Sequence, residues 1–223
     1  MKRSEVNEIM KEAVAFAEKF HFKLPPFALW GKEDWLKAGK EYDEIRDCML
    51  GWDITDFGSG DFKKVGLLMF TIRNGCYNSS KYDKVYAEKL LISRDAQVTP
   101  YHFHWKKMED IINRGGGNLM VSLYNQDEEG KLDKVNDVKI SMDGRNYMAP
   151  AGTVVKLTPG ESITLPPGQY HSFWGEKGYG TVLIGEVSKV NNDNLDNNFL
   201  EIAGRFPEIE EDVEPLYLLY TDY

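Results

Sequence analysis

Apolar residues recur in the first stretch of the chain at Val6, Ile9, Met10, Ala13, Val14, Ala17 and Phe20, while Glu5, Glu8, Lys11, Glu12 and Lys19 take the positions between them. This rhythm predicts an amphipathic helix over residues 4–21, structural in role, covering a sheet or a second copy of the chain. Ser4 is placed to cap its start. Leu24-Pro25-Pro26 ends it, since proline disfavours helix in the residue before it. Residues 27–50 set Trp30, Trp35 and Tyr42 among charges, broken by Gly31 and Gly39, and read as short helical turns.

From Gly51 the rhythm becomes that of strands. Trp52 to Phe57 alternates, Gly58-Ser59-Gly60 turns, and Val65 to Ile72 is an apolar run of strand length. Strand-like segments then return at 86–93, 97–105, 109–114, 119–125, 137–142, 145–149, 153–157, 162–165, 170–174 and 181–187. Asp143-Gly144 is a hairpin turn of the primed type. Many short strands with Gly and Pro turns, and no alternation with helices, predict a mainly β fold closed as a barrel or jelly roll. No internal repeat and no linker divides the chain. After Ser188 comes the polar run Asn191-Asn192-Asp193-Asn194, then the loop-like Phe199 to Pro207. An acidic run, Glu208 to Glu214, reads as a solvated face. Leu216 to Tyr220 is apolar enough to dock back.

Charge narrows the function. Asp plus Glu number 36 against 27 Lys plus Arg, a net −9, which argues against nucleic acid and anionic membranes as partners. A 42% hydrophobic content allows a substantial core. No apolar run follows Met1-Lys2-Arg3-Ser4-Glu5, and no apolar window is long enough to span a membrane. The two cysteines, Cys48 and Cys76, make no disulfide framework and read as small core residues in a reducing compartment. The expectation is a soluble cytoplasmic protein.

The chemistry concentrates in Thr99 to Glu109. Two of the four histidines, His102 and His104, stand here one residue apart, which on a strand puts both imidazoles on one face. Glu109 follows after a short bend. His171 follows the turn Pro166-Pro167-Gly168, while His21, at the end of the predicted helix, reads as half-exposed. Three neutral imidazoles and a carboxylate suit a divalent metal.

The spacing extends beyond His-x-His. Four residues separate His104 from Glu109, and six more separate Glu109 from Gly116; downstream, Gly160, Pro166-x-Gly168 and His171 form a second pattern. The pair resembles the two motifs of the cupin superfamily, although Ala96 replaces the glycine expected before the first His and Gly175 the closing Asn. The resemblance implies a single cupin-type β-barrel over 1–223, with 1–50 as a helical extension packing on it and 188–223 as a C-terminal extension. It also implies His102, His104, Glu109 and His171 as metal ligands.

Four runs are similar to the bacterial D-lyxose isomerases: Glu44-Ile45-Arg46-Asp47, Gly51 to Gly58, Met108 to Gly117, and Gly204-Arg205-Phe206-Pro207. What this implies is a manganese-dependent aldose–ketose isomerase, plausibly homodimeric. It would act on D-lyxose and D-xylulose, and more slowly on D-mannose and D-fructose. Moving a carbonyl between C1 and C2 requires a base. Two carboxylates outside the ligand set are candidates: Glu201, on a loop able to close over the barrel mouth and narrowly preferred, and Glu186, on one strand face with Val182 and Ile184. Lys89 is expected inward, where it would hold a sugar hydroxyl or a developing oxyanion. Arg205 would hold a hydroxyl or position Glu201. The same ligands also suit an iron-dependent cupin dioxygenase, and a non-catalytic sugar-binding cupin is the rival outside enzymes.

Overall fold

In the computed structural model, which describes every residue except Tyr77, Asn78, Asn191, Ile202, Ala203 and residues 205–207, the first rhythm forms α1 (Arg3–Lys19). Its buried residues include Val6, Met10, Ala13 and Ala17. Ser4 is not its cap. Lys2 occupies that position, and the Lys2 amide donates to Glu5 Oε2 at 2.9 Å. Ser4 instead donates through its amide and hydroxyl to Asp212, at 2.9 and 2.7 Å. Arg3 donates twice to Glu211, at 2.8 and 2.6 Å. The acidic run is therefore only partly a solvated face. It supplies carboxylates to the positive end of a helix dipole and to a forked guanidinium.

Two short helices follow, α2 (Lys32–Lys37) and α3 (Asp43–Asp47). Then come β1 (Gly51–Thr55), β2 (Leu67–Arg73), β3 (Tyr86–Ser93), β4 (Val98–His104), β5 (Glu109–Gly116), β6 (Leu119–Gln126) and β7 (Leu132–Asp133). The chain continues through β8 (Val138–Met142), β9 (Arg145–Ala149), β10 (Val154–Leu157), β11 (Ser162–Leu165), β12 (Tyr170–Gly175) and β13 (Val182–Lys189). It closes with α4 (Asp193–Asp196) and β14 (Asn197–Phe199). The strands form two antiparallel sheets. The larger runs β1-β2-β3-β13-β5-β11-β8-β9, and the smaller β10-β6-β12-β4-β14, with β7 paired to β6. Asp143 and Gly144 turn between β8 and β9 with φ of 48° and 79°, the positive values a primed turn requires.

Two hydrophobic clusters explain the continuous apolar runs. On β3, Leu91 belongs to the inner cluster with Ile111, Val121, Phe173 and Ile184. Leu90 and Ile92 belong to the outer one with Trp52, Leu68, Phe70, Leu183 and the buried face of α1. Both faces of the larger sheet are thus covered along this stretch, so alternation gives way to unbroken apolarity. The buried helix face covers a sheet of its own chain. Leu218 and Leu219 dock back as expected, with the Tyr220 amide donating to Trp52 O at 2.8 Å. Cys48 is buried and Cys76 half-buried, and burial pushes the Cys48 thiol up to about 11.

Candidate metal centre

β4 and β12 lie side by side in the smaller sheet, with His171 directly opposite His102. His102, His104 and His171 all point between the sheets and are almost fully buried. Phe103, on the other face, packs edge-on against Tyr170 at 4.9 Å. One ring nitrogen from each histidine falls within 4.8 Å of the other two.

Backbone contacts orient two of the rings. His102 Nδ1 lies 2.8 Å from Pro100 O, and His171 Nδ1 lies 3.0 Å from Gln169 O. A carbonyl only accepts, so each Nδ1 carries a proton, and the lone pair of the neutral ring then lies on Nε2. Burial, then the charges of the neighbouring histidines, holds His102 well below the ordinary imidazole range. Burial, then Lys107, lowers His104. Neutral imidazoles with free lone pairs are what a divalent cation takes.

Glu109 opens β5 in the facing sheet. Its Oε1 lies 3.2 Å from His104 Nε2 and 3.2 Å from His171 Nε2. The His171 contact lacks hydrogen-bond geometry, so His171 Nε2 is a buried nitrogen without a hydrogen-bond partner. With metal–ligand bonds of about 2.1 Å, neighbouring donors around one ion stand roughly 3 Å apart. Burial alone would push the Glu109 carboxyl up. Lys107, with the charge and hydrogen bond of His104, outweighs burial and holds it well below the usual carboxylate range. The donor set fits a divalent metal.

Lys107 is one site residue that sequence reasoning missed. It is 2% exposed, with Nζ 2.6 Å from Glu109 Oε2 and 2.9 Å from Glu186 Oε1. Lys89 Nζ lies 3.6 Å from the same Glu186 oxygen. The parity expectation for β3 and β13 holds: Lys89 and Glu186 pair across the strands and face inward, while Glu88 faces out to Arg73 at 2.9 Å. Asp196 fixes the loop that carries Lys107. Its carboxylate accepts from the amides of Lys106 and Lys107, both at 2.9 Å, and its carbonyl accepts from Trp105 at 3.0 Å.

His102, His104, Glu109, Lys107, Lys89 and Glu186 line a cavity of ≈ 300 Å³ between the sheets, together with Asp53, Thr55, Thr99, Phe173, Asn197 and Phe199. That is the lower end of the range for small-molecule sites. Phe199 stacks on His102 at 5.2 Å, and Phe57 meets Phe199 at 5.5 Å. Glu201 is exposed, at a bend just after β14, and is not among the lining residues. Arg205 lies outside the described residues. Asp53 went unnoticed because β1 is buried on both faces and its alternation carries no signal.

The sequence profile of the D-lyxose isomerase family matches residues 1–223. The chain belongs to the D-lyxose isomerase family. Among its relatives in that family is the D-lyxose/D-mannose isomerase of Serratia proteamaculans, 49% identical over 224 residues that cover 100% of this chain and 98% of the relative. The protein of the same description from Escherichia coli O157:H7 is 47% identical over the same shares. Among solved structures, the L-ribose isomerase of Cellulomonas parahominis superposes with a TM-score of 0.63 at 14% identity, covering 94% of this chain and 98% of that one. At that identity the likeness shows the fold, which is the mainly β, cupin-like fold expected. As a member of the D-lyxose isomerase family the chain is an aldose–ketose isomerase, so the dioxygenase and binding-module readings fall away.

Proposed function

We propose that the chain is one cupin domain that interconverts D-lyxose with D-xylulose, and D-mannose with D-fructose, using a divalent metal, assigned here as Mn²⁺. His102, His104, His171 and Glu109 would hold the ion. The observation that carries this reading is the convergence of buried, backbone-oriented imidazoles and Glu109 in a cavity that also contains a separate carboxylate with its own cations. A bound divalent ion would polarise the sugar carbonyl and stabilise negative charge on its oxygens.

Glu186 is our choice as base, ahead of Glu201. It is 4% exposed, lines the cavity, and stands outside the four donors. It takes the proton from C2 of the aldose and returns it to C1 of the enediol. Lys107 and Lys89 hold this carboxylate in place through their ion pairs with Oε1, and either ammonium is placed to donate to a sugar oxygen as charge develops there. Arg205 retains its role as a hydroxyl or loop contact in this scheme.

A homodimer is consistent with the family resemblance, and the cytoplasm with two free thiols. No described helix is long and apolar enough to cross a membrane. The deciding experiment strips the protein of metal, offers D-lyxose, and adds divalent metals back singly. Production of D-xylulose only on re-addition is expected. Full activity in the stripped protein would refute the metal requirement, and no activity with any metal would refute the substrate.

A further inference from the structure

The wall that carries His102 and His104 contains an irregularity next to the site. Along β4 and β12, His102 faces His171 and Thr99 faces Phe173, with a register shift between the two pairs. Pro100 and Tyr101 together therefore oppose Ser172 alone, which is a β-bulge, and proline is well suited to it because it has no amide to give the ladder. The bulge has two consequences. It presents Pro100 O to His102 Nδ1. It also restores an even count between Thr99 and His102, so a residue that simple alternation would turn outward lines the cavity instead.

Thr99 is 2% exposed, and its hydroxyl is buried without a hydrogen-bond partner. Its neighbours do not supply one: the Ser172 hydroxyl donates to the Thr99 carbonyl at 2.7 Å and leaves Oγ1 unmet. Leu67, Leu91, Ile111 and Phe173 of the same cavity offer no polar atom. A threonine at such a position carries a desolvation cost that valine, of the same shape, would not. The cost is recovered if a ligand hydroxyl meets Oγ1. Thr99 stands two strand rises from His102, roughly 7 Å along the wall, a separation of the order of the length of an open-chain pentose.

We propose that Thr99 is a specificity-determining residue whose hydroxyl bonds the far-end hydroxyl of the sugar while its carbonyl end lies at the histidines. This rests on the isomerase reading above and deepens it. Thr99 thereby measures chain length and polarity at the end remote from the chemistry, where binding contributes to KM more than to kcat.

The test uses Mn²⁺-loaded wild type, Thr99→Val and Thr99→Ser. The readouts are KM for D-lyxose and the inhibition constant of D-arabinitol, the polyol with the same hydroxyls and no carbonyl. In Thr99→Val both constants should rise about tenfold, equivalent to about 1.4 kcal/mol, with kcat changing less. In Thr99→Ser both should stay within about twofold of wild type, as the hydroxyl is kept. The metal-free valine variant should melt no lower than wild type, whereas a merely structural threonine would lower it. A check without any mutant compares D-lyxose with 5-deoxy-D-lyxose on wild-type enzyme, where about a tenfold weaker binding of the deoxy sugar is expected. Unchanged constants in Thr99→Val, equal losses in valine and serine, or equal binding of the two sugars would each overturn the assignment. Wild type that isomerises no D-lyxose would remove the isomerase reading itself, and this role with it.

Discussion

Lys107 Nζ stands 2.9 Å from Glu186 Oε1, and both side chains are nearly sealed from solvent. The same ammonium reaches Glu109 Oε2 at 2.6 Å, so one cation neutralises two buried carboxylates. Replacing it with methionine keeps the apolar stem and removes the charge. Glu109 then loses its buried ammonium partner and Glu186 is left with the more distant Lys89 at 3.6 Å, at a cost of about 3–5 kcal/mol as for other broken buried pairs. Urea unfolding of metal-free Lys107→Met should show it, and a midpoint equal to wild type would mean that the acids find another partner.

The metal ligands and the base should separate experimentally. His171→Ala should lose metal on dialysis, read by elemental analysis, because it removes one of the three convergent ring nitrogens. A full metal complement in that variant would dismiss His171 as a ligand.

Glu186→Gln should keep its metal and lose at least about a hundredfold in kcat, the usual scale for a general base. Glu201→Gln is the decisive companion. Near-wild-type turnover is expected of an exposed carboxylate outside the cavity lining, and a collapse of kcat there would return the base to the loop after β14.

Asp196 acts at one remove, through two amides between His104 and Glu109. Asp196→Ala should weaken metal affinity about 10–100-fold, as loss of an orienting partner does elsewhere. A chelator competition titration measures this, and unchanged affinity would show that the loop holds itself.

Acid should destabilise the metal-free protein early. Unfolded histidines take up protons as pH falls through about 6.5, while burial keeps His102 and His104 neutral in the fold. The unfolded state then binds more protons, so stability declines below that pH. The depressed carboxyl of Glu109 adds to the loss once pH falls below about 4.5, where the unfolded glutamate protonates first. Melting at about pH 5 should thus occur at lower temperature than at about pH 7, and equal melting temperatures would contradict the burial of neutral imidazoles.

What could be read in advance followed from periodicity. The strand pairs bearing Lys89, His102, His104 and Glu186 were legible because a two-residue period fixes which side chains share a face. β14 was not: Asn197-Asn198-Phe199 has no apolar alternation, and it exists because it pairs with the edge of β4. Lys107 was invisible for another reason. A lysine in a loop ordinarily stands in water, and only the fold brings two carboxylates around this one. Thr99 was read as part of the strand, but its direction depends on a bulge that no local pattern announces. The mistaken cap at Ser4 has a similar origin, since its true partner, Asp212, is two hundred residues away in the chain.

The three imidazoles belong to one sheet, whereas Glu109, Glu186 and Lys89 belong to the other. A sugar lying between them is therefore a crossbar joining two walls that are otherwise tied at this point mainly through Glu109 and the loop of Lys107. Binding would brace the barrel as well as fill it. Substrate preference can then be retuned on the wall of Thr99 while the acid and its two ammonium groups stay in place across the gap.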